Sequence, residues 1–139
     1  MKLYFDASVL VALLAKDALT ARAYSLLRSH AAVLLVSDFA AAEFASALAR
    51  RVRMGELTAE QGRAAFANFD VWTARATRHV GTKTADVRAA EAFLRRLDLT
   101  LRTPDALNIA IAQRAGAALA TFDERMAAAA RALGTQVLS

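Results

Sequence analysis

Lys2-Leu3-Tyr4-Phe5-Asp6-Ala7-Ser8-Val9-Leu10-Val11-Ala12-Leu13-Leu14 passes from a short apolar run, through an acid, into a longer apolar run. Leu3, Tyr4 and Phe5 have the unbroken hydrophobicity of a central parallel strand, which is covered on both faces. Val9 to Ala15 is apolar enough for a buried helix, with Ser8 as its expected N-cap. Asp6 is thereby placed at the carboxyl end of a strand, the edge where open α/β sheets bind ligands when strand order reverses. Taken alone, Asp6 reads as a helix cap. The recurrence of this arrangement further along the chain points to a site.

Thr20 to Ser29 reads as an amphipathic helix, and Ala32 to Val36 as a second buried strand. Ser37 or Asp38 can cap the next helix, which carries Glu43 and stops near Met54 at Gly55. Thr58 and Gln61 form a capping box for a helix to about Phe69. Val71 to Val80 is expected to be a short edge strand or loop, followed by a helix from a Thr84 cap to Leu97. Thr103 as N-cap and Pro104 at the first position open a helix that Gly116 ends. Ala117 to Thr121 is a further strand, Glu124 to Leu133 the last helix, and Gln136 to Leu138 a final strand. The alternation predicts one α/β domain over residues 1–139, with a mostly parallel central sheet of four to five strands and helices on both faces.

Bulk composition narrows the chemistry. The chain has 139 residues and no cysteine, which excludes thiolate metal sites, thiol nucleophiles and disulfides, and fits a reducing cytoplasm. His30 and His79 lie far apart, so a metal site has to be built mainly from carboxylate oxygen, the ligand of Mg²⁺ or Mn²⁺. A net charge of +5 favours a polyanionic partner. No apolar run approaches the roughly 20 residues of a membrane span. Lys2 and the apolar residues after it loosely imitate a signal peptide, but Asp6, Lys16 and Asp17 break that pattern.

Four acids occupy matched positions: Asp6 after the first strand, Glu43 in the helix after the second, Asp105 in a first helical turn, and Asp123 after a later strand. Each has an ordinary explanation. Asp105 complements a helix dipole, Asp123 caps a helix, Glu43 lies on a solvated face or pairs with a cation, and Asp38 is mainly a cap. Together on one sheet edge they repel one another, and a divalent cation relieves that conflict. Mg²⁺ bound by a few carboxylates activates water and neutralises phosphodiester charge.

The runs Tyr4-Phe5-Asp6-Ala7-Ser8, Ala42-Glu43, Arg102-Thr103-Pro104-Asp105-Ala106-Leu107 and Ala120-Thr121-Phe122-Asp123 resemble the PIN-domain ribonucleases, especially the VapC-type toxins of bacterial toxin–antitoxin pairs. The resemblance implies a PIN-like fold and a metal-dependent endoribonuclease. In that reading Asp6, Glu43, Asp105 and Asp123 hold Mg²⁺ or Mn²⁺, Ser8 and Thr121 support them, and Glu124 adds a further acid. It also implies a homodimer and a cognate antitoxin whose C-terminal segment lies over the site. Asn108 departs from the pattern, because many relatives carry histidine there. Its amide can donate to a carboxylate or a bound water but cannot titrate near neutral pH.

Arginines supply the cationic surround that RNA needs: Arg50, Arg51 and Arg53, then Arg75, Arg78 and Lys83, then Arg95, Arg96 and Arg102. Individually each reads as a solvated or helix-end charge, and Arg102, three residues from Asp105, is the best candidate for RNA contact. Two other functions stay open. In a phosphoacceptor or phosphatase, Asp6 would carry an aspartyl-phosphate, yet Ser8 stands where a second aspartate is wanted. A non-catalytic RNA-binding protein explains the charge but leaves the acids without a purpose.

Overall fold

The computed structural model describes residues 1–139. In chain order the elements are β1 (Lys2–Phe5), α1 (Ala7–Leu14), α2 (Thr20–Ser29), β2 (Val33–Ser37), α3 (Asp38–Arg53) and α4 (Ala59–Ala76). There follow β3 (Thr77–Val80), α5 (Thr84–Leu94), α6 (Thr103–Arg114), β4 (Ala118–Ala120), α7 (Glu124–Ala132) and β5 (Val137–Leu138). The five strands form one sheet in the order β3-β2-β1-β4-β5. All four pairings are parallel, with Leu3 opposite Leu34 on one side and Ala118 on the other.

This order doubles back once. The chain moves outward from β1 through β2 to β3, then crosses β1 to start again at β4. Alternating side chains of β1 serve the two faces. Phe5 meets Trp72 of α4 at 6.0 Å between ring centroids, while the Tyr4 hydroxyl reaches Asn108 of α6 on the opposite face. Leu3, Tyr4 and Phe5 are fully buried, as a strand covered on both faces requires. On the Phe5 face, Phe44 stacks on Phe69 at 4.5 Å, joining α3 to α4. Gly62 lets those two helices approach, since a Cβ there would stand 3.1 Å from the Val52 methyl.

The elements match the expected alternation, and several boundaries move for identifiable reasons. Asp6, not Ser8, caps α1, because its Oδ1 accepts from the Val9 N–H at 3.1 Å. Ser37 caps α3 by accepting from the Ala40 N–H at 2.9 Å. The helix expected to end near Phe69 continues to Ala76, so Val71 and Trp72 are helical and the edge strand starts only at Thr77. Packing of Trp72 on Phe5 accounts for that extension. The N-caps expected at Thr84 and Thr103 lie one residue earlier, at Lys83 and Arg102. In both cases a third-position aspartate reaches back to the cap: Asp86 accepts from the Lys83 N–H at 2.8 Å, and Asp105 from the Arg102 N–H at 3.0 Å. α5 ends at Leu94 rather than Leu97, whose φ of 65° turns the chain out of the helix.

Candidate functional site

The reversal between β1 and β4 brings Asp6 and Asp123 together. Asp6 follows β1, Thr121 and Asp123 follow β4, and the Asp6 N–H donates to the Ala120 carbonyl at 3.2 Å across the two strand ends. Asp6 is only 2% exposed. Its Oδ1 accepts from the Ser8 hydroxyl at 2.6 Å and its Oδ2 from the Thr121 hydroxyl. Ser8 Oγ in turn accepts from the Phe122 N–H at 2.9 Å, and Thr121 Oγ1 from the Asp123 N–H at 3.0 Å. Two hydroxyls therefore lock the first acid to the loop that carries the fourth.

Glu43 and Asp105 arrive from either side of the sheet. Asp105 lies in the first turn of α6, and Glu43 is half-buried on α3. The Asn108 amide ties Glu43 to α6 by donating to Glu43 Oε1 at 2.7 Å and to the Pro104 carbonyl at 3.0 Å. Because both partners are acceptors, Asn108 Oδ1 is left to accept, and it takes the Tyr4 hydroxyl proton at 2.7 Å. Ser37 Oγ, 2.7 Å from the phenol oxygen, then donates to it. One directed chain of hydrogen bonds, from Ser37 through Tyr4 and Asn108 to Glu43, thus crosses the core.

The acids influence one another. Burial pushes Asp6 above the ordinary carboxylate range against the hydrogen bonds from Ser8, Thr121 and Val9, and the charge of Asp123 adds to the rise. Burial likewise raises Glu43, opposed by Asn108 and reinforced by the charges of Asp6 and Asp105. Tyr4 is shifted upward, chiefly by burial. Glu43, Asp105 and Asp123 each commit one carboxylate oxygen to the chain: to Asn108, to the Arg102 N–H, and to the N–H groups of Arg125 and Met126. Their other oxygens accept no hydrogen bond. No three acidic or histidine side chains stand close enough to grip an ion as they are.

A cleft of about 510 Å³ opens beside these groups, lined by Arg102, Asp105, Asp123, Glu124 and Arg125 with Thr100 and Leu101. Glu124 is exposed at its rim. On the other side of the Asp123 loop, the Arg22 guanidinium lies 4.8 Å from the Phe122 ring centroid. Of the expected residues, Arg102, Asp105, Asp123 and Glu124 line this cleft; Asp6, Ser8 and Thr121 join it through the Asp123 loop, and Glu43 through Asn108 of α6. Local sequence pattern does not mark Tyr4, Ser37 or Arg125 as site residues. A tyrosine inside a central strand was the available signal for the first, since a buried phenol needs a hydrogen-bond partner.

Residues 3–132 match the family model described as PIN domain. Among solved structures, the fold is similar to Mycobacterium tuberculosis VapC20, a sarcin-ricin loop cleaving toxin, with a TM-score of 0.74 and 24% identity over 92% of this chain and 95% of that one. It is similar also to FitAcB from Neisseria gonorrhoeae, with a TM-score of 0.76 and 15% identity over 99% and 96%. DNA-bound VapBC from Salmonella typhimurium gives a TM-score of 0.70 and 13% identity over 99% and 97%. No curated protein matches the sequence significantly.

Proposed function

Since the chain belongs to the PIN-domain family, we propose that its acidic edge is the active site of a metal-dependent endoribonuclease, the toxin of a toxin–antitoxin pair. The observation that carries this reading is the placement of Asp6 and Asp123 at the sheet reversal, with Glu43 and Asp105 near enough for their charges to act on one another, beside a cleft flanked by Arg102 and Arg125.

The donor set fits a hard divalent cation. Its ligands are carboxylate oxygens with no thiolate, and three of the four acids keep one oxygen uncommitted while the other fixes the side chain in place. Side-chain movement is needed for closure, because the acids do not yet surround a point. Asp6, Glu43, Asp105 and Asp123 would hold Mg²⁺ or Mn²⁺, with Glu124 at the rim. When bound, such an ion offsets the acids' repulsion, lowers the pKa of water and neutralises charge on a phosphodiester.

The chain's own residues supply orientation and binding. Ser8 and Thr121 keep both Asp6 oxygens in register, and Asn108 aims Glu43. Asn108 does not titrate, so it positions and does not shuttle protons. Arg102 and Arg125 hold the RNA backbone at the cleft, where the acids alone would repel it. An aspartyl-phosphate at Asp6 is disfavoured, because that carboxylate is buried and hydrogen-bonded at both oxygens.

The same anionic cleft suits a cationic segment of an antitoxin, and several similar structures are VapBC toxin–antitoxin complexes. The protein acts as a homodimer in the cytoplasm, and no helix is long and apolar enough to cross a membrane. The test is cleavage of a mixed RNA pool by the partner-free protein with Mg²⁺ or Mn²⁺, with chelator, and with the Asp6→Asn variant. Metal-dependent cutting abolished by the substitution supports the proposal.

A further inference from the structure

A second cavity, of about 480 Å³, lies on the Tyr4 face of the sheet away from the acids, over β2 and β3 where α6 ends. Lys2, Arg78, His79, Lys83 and Arg114 line it, along with apolar residues of the two strands. Strand register explains why Lys2 and Arg78 are on it, whereas His79, paired with Val36, turns its side chain to the opposite face and borders the groove only at its edge. Lys2 pairs with Val33 and Leu35 with Arg78, so these side chains share one face of the sheet.

Two of the cations are held in place. Arg114 donates through Nε and a terminal nitrogen to Asp86 at 2.7 and 3.0 Å, and from that terminal nitrogen to the Gly81 carbonyl at 2.7 Å. Its other terminal nitrogen makes no hydrogen bond within the chain. Lys2 Nζ is anchored on the Ala115 carbonyl at 3.3 Å. Asp86 is 1% exposed and already paired with Arg114, and the exposed Asp38 beside the groove accepts from the Thr82 N–H and hydroxyl. Lys2, Arg78 and Lys83 form no ion pair. Fixed cations beside unpaired ones, without an exposed acid in the lining, make a surface complementary to phosphates.

We infer that this groove binds the sugar-phosphate backbone of the RNA substrate at a distance from the cutting site, an extension that rests on the ribonuclease reading. Arg114 follows Asp105 by nine residues on α6, or about 13 Å at 1.5 Å per residue. The groove therefore engages nucleotides beyond those in the acidic cleft. It makes affinity depend on strand length and salt, while base identity is read elsewhere.

The test measures binding of a labelled single-stranded RNA as a function of salt, in chelator, to the Asp6→Asn chain with and without Arg78→Gln and Lys83→Gln. Neither the Arg78 nor the Lys83 side chain is held by an ion pair, and both residues are exposed, so the variant folds; Arg114 is left alone because Asp86 depends on it. The expected result is roughly tenfold weaker binding at low salt, and a log–log salt slope shallower by about 1.4, near 0.7 for each single-strand phosphate that is no longer neutralised. Unchanged affinity and slope overturn the groove, even if the parent chain cleaves RNA normally. Groove-dependent binding without metal-dependent cleavage in the parent leaves the groove standing and removes the nuclease reading. Tighter binding of polyglutamate than of RNA at equal salt assigns the groove to an acidic protein segment and overturns the proposal.

Discussion

Tyr4 and Asn108, 104 residues apart in sequence, share a buried 2.7 Å hydrogen bond that ties the central strand to the helix carrying Asp105. Tyr4→Phe removes the phenol from between Ser37 and Asn108. Leaving Asn108 Oδ1 without its partner in the core costs about 1 to 3 kcal/mol. Urea unfolding should show a lower midpoint with an unchanged slope, because the aromatic ring still fills its place.

Asp6 and Glu43 give the metal-free protein an unusual pH dependence. Burial raises both above the ordinary carboxylate range, so the folded chain holds these protons more tightly than the unfolded chain does. Their stabilising contribution is present below the ordinary range and is lost as pH rises through the raised values. At neutral pH, Asp6→Asn therefore raises the melting temperature in chelator, and its advantage shrinks on acidification. The same variant loses more than roughly 100-fold in cleavage, beyond the usual loss for partners of a metal ligand. Calorimetry across pH, beside an RNA cleavage assay, checks both directions.

Asn108→Asp keeps the side-chain shape but turns a donor to Glu43 into a second acid. At neutral pH a buried unpaired charge of this kind costs about 3 to 5 kcal/mol. Stability recovers on acidification as the new pair takes up a proton. Denaturation at neutral and acidic pH would register the recovery.

Asp86 behaves in the opposite sense. Burial works to raise its pKa, but the hydrogen bonds from Arg114 and the Lys83 N–H, with both cations' charges, outweigh it and hold the carboxyl below the ordinary range. That contribution is present above the ordinary range and disappears as pH falls through the folded value. Arg114→Met removes it and leaves a carboxylate buried without its cation, a loss of about 3 kcal/mol at neutral pH. The variant's stability should fall less steeply on acidification than the parent's, as thermal melts at stepped pH would show.

Much of this architecture was legible in the sequence because it rests on local signals. Apolar runs marked β1, β2 and β4, and the positions of Asp6, Asp105 and Asp123 at the ends or first turns of elements could be read locally. Boundaries were less legible where a tertiary contact decided them. Trp72 stays helical because Phe5 is beneath it, and no local pattern reports that. The caps slipped by one residue because Asp86 and Asp105 bond backward to Lys83 and Arg102. The chain of hydrogen bonds from Ser37 to Glu43 was hidden for the same reason, since its members come from β1, β2, α3 and α6. The basic groove depends on strand register, which sequence periodicity leaves open.

Cleavage of a mixed RNA pool by the purified, partner-free chain tests the central claim most directly. With Mg²⁺ or Mn²⁺ the pool is cut, and chelator or Asp6→Asn abolishes the cutting. A correctly folded parent chain that leaves RNA intact at every metal concentration, or that cuts equally well with Asp6→Asn, would contradict the assignment of the acidic edge as a nuclease site.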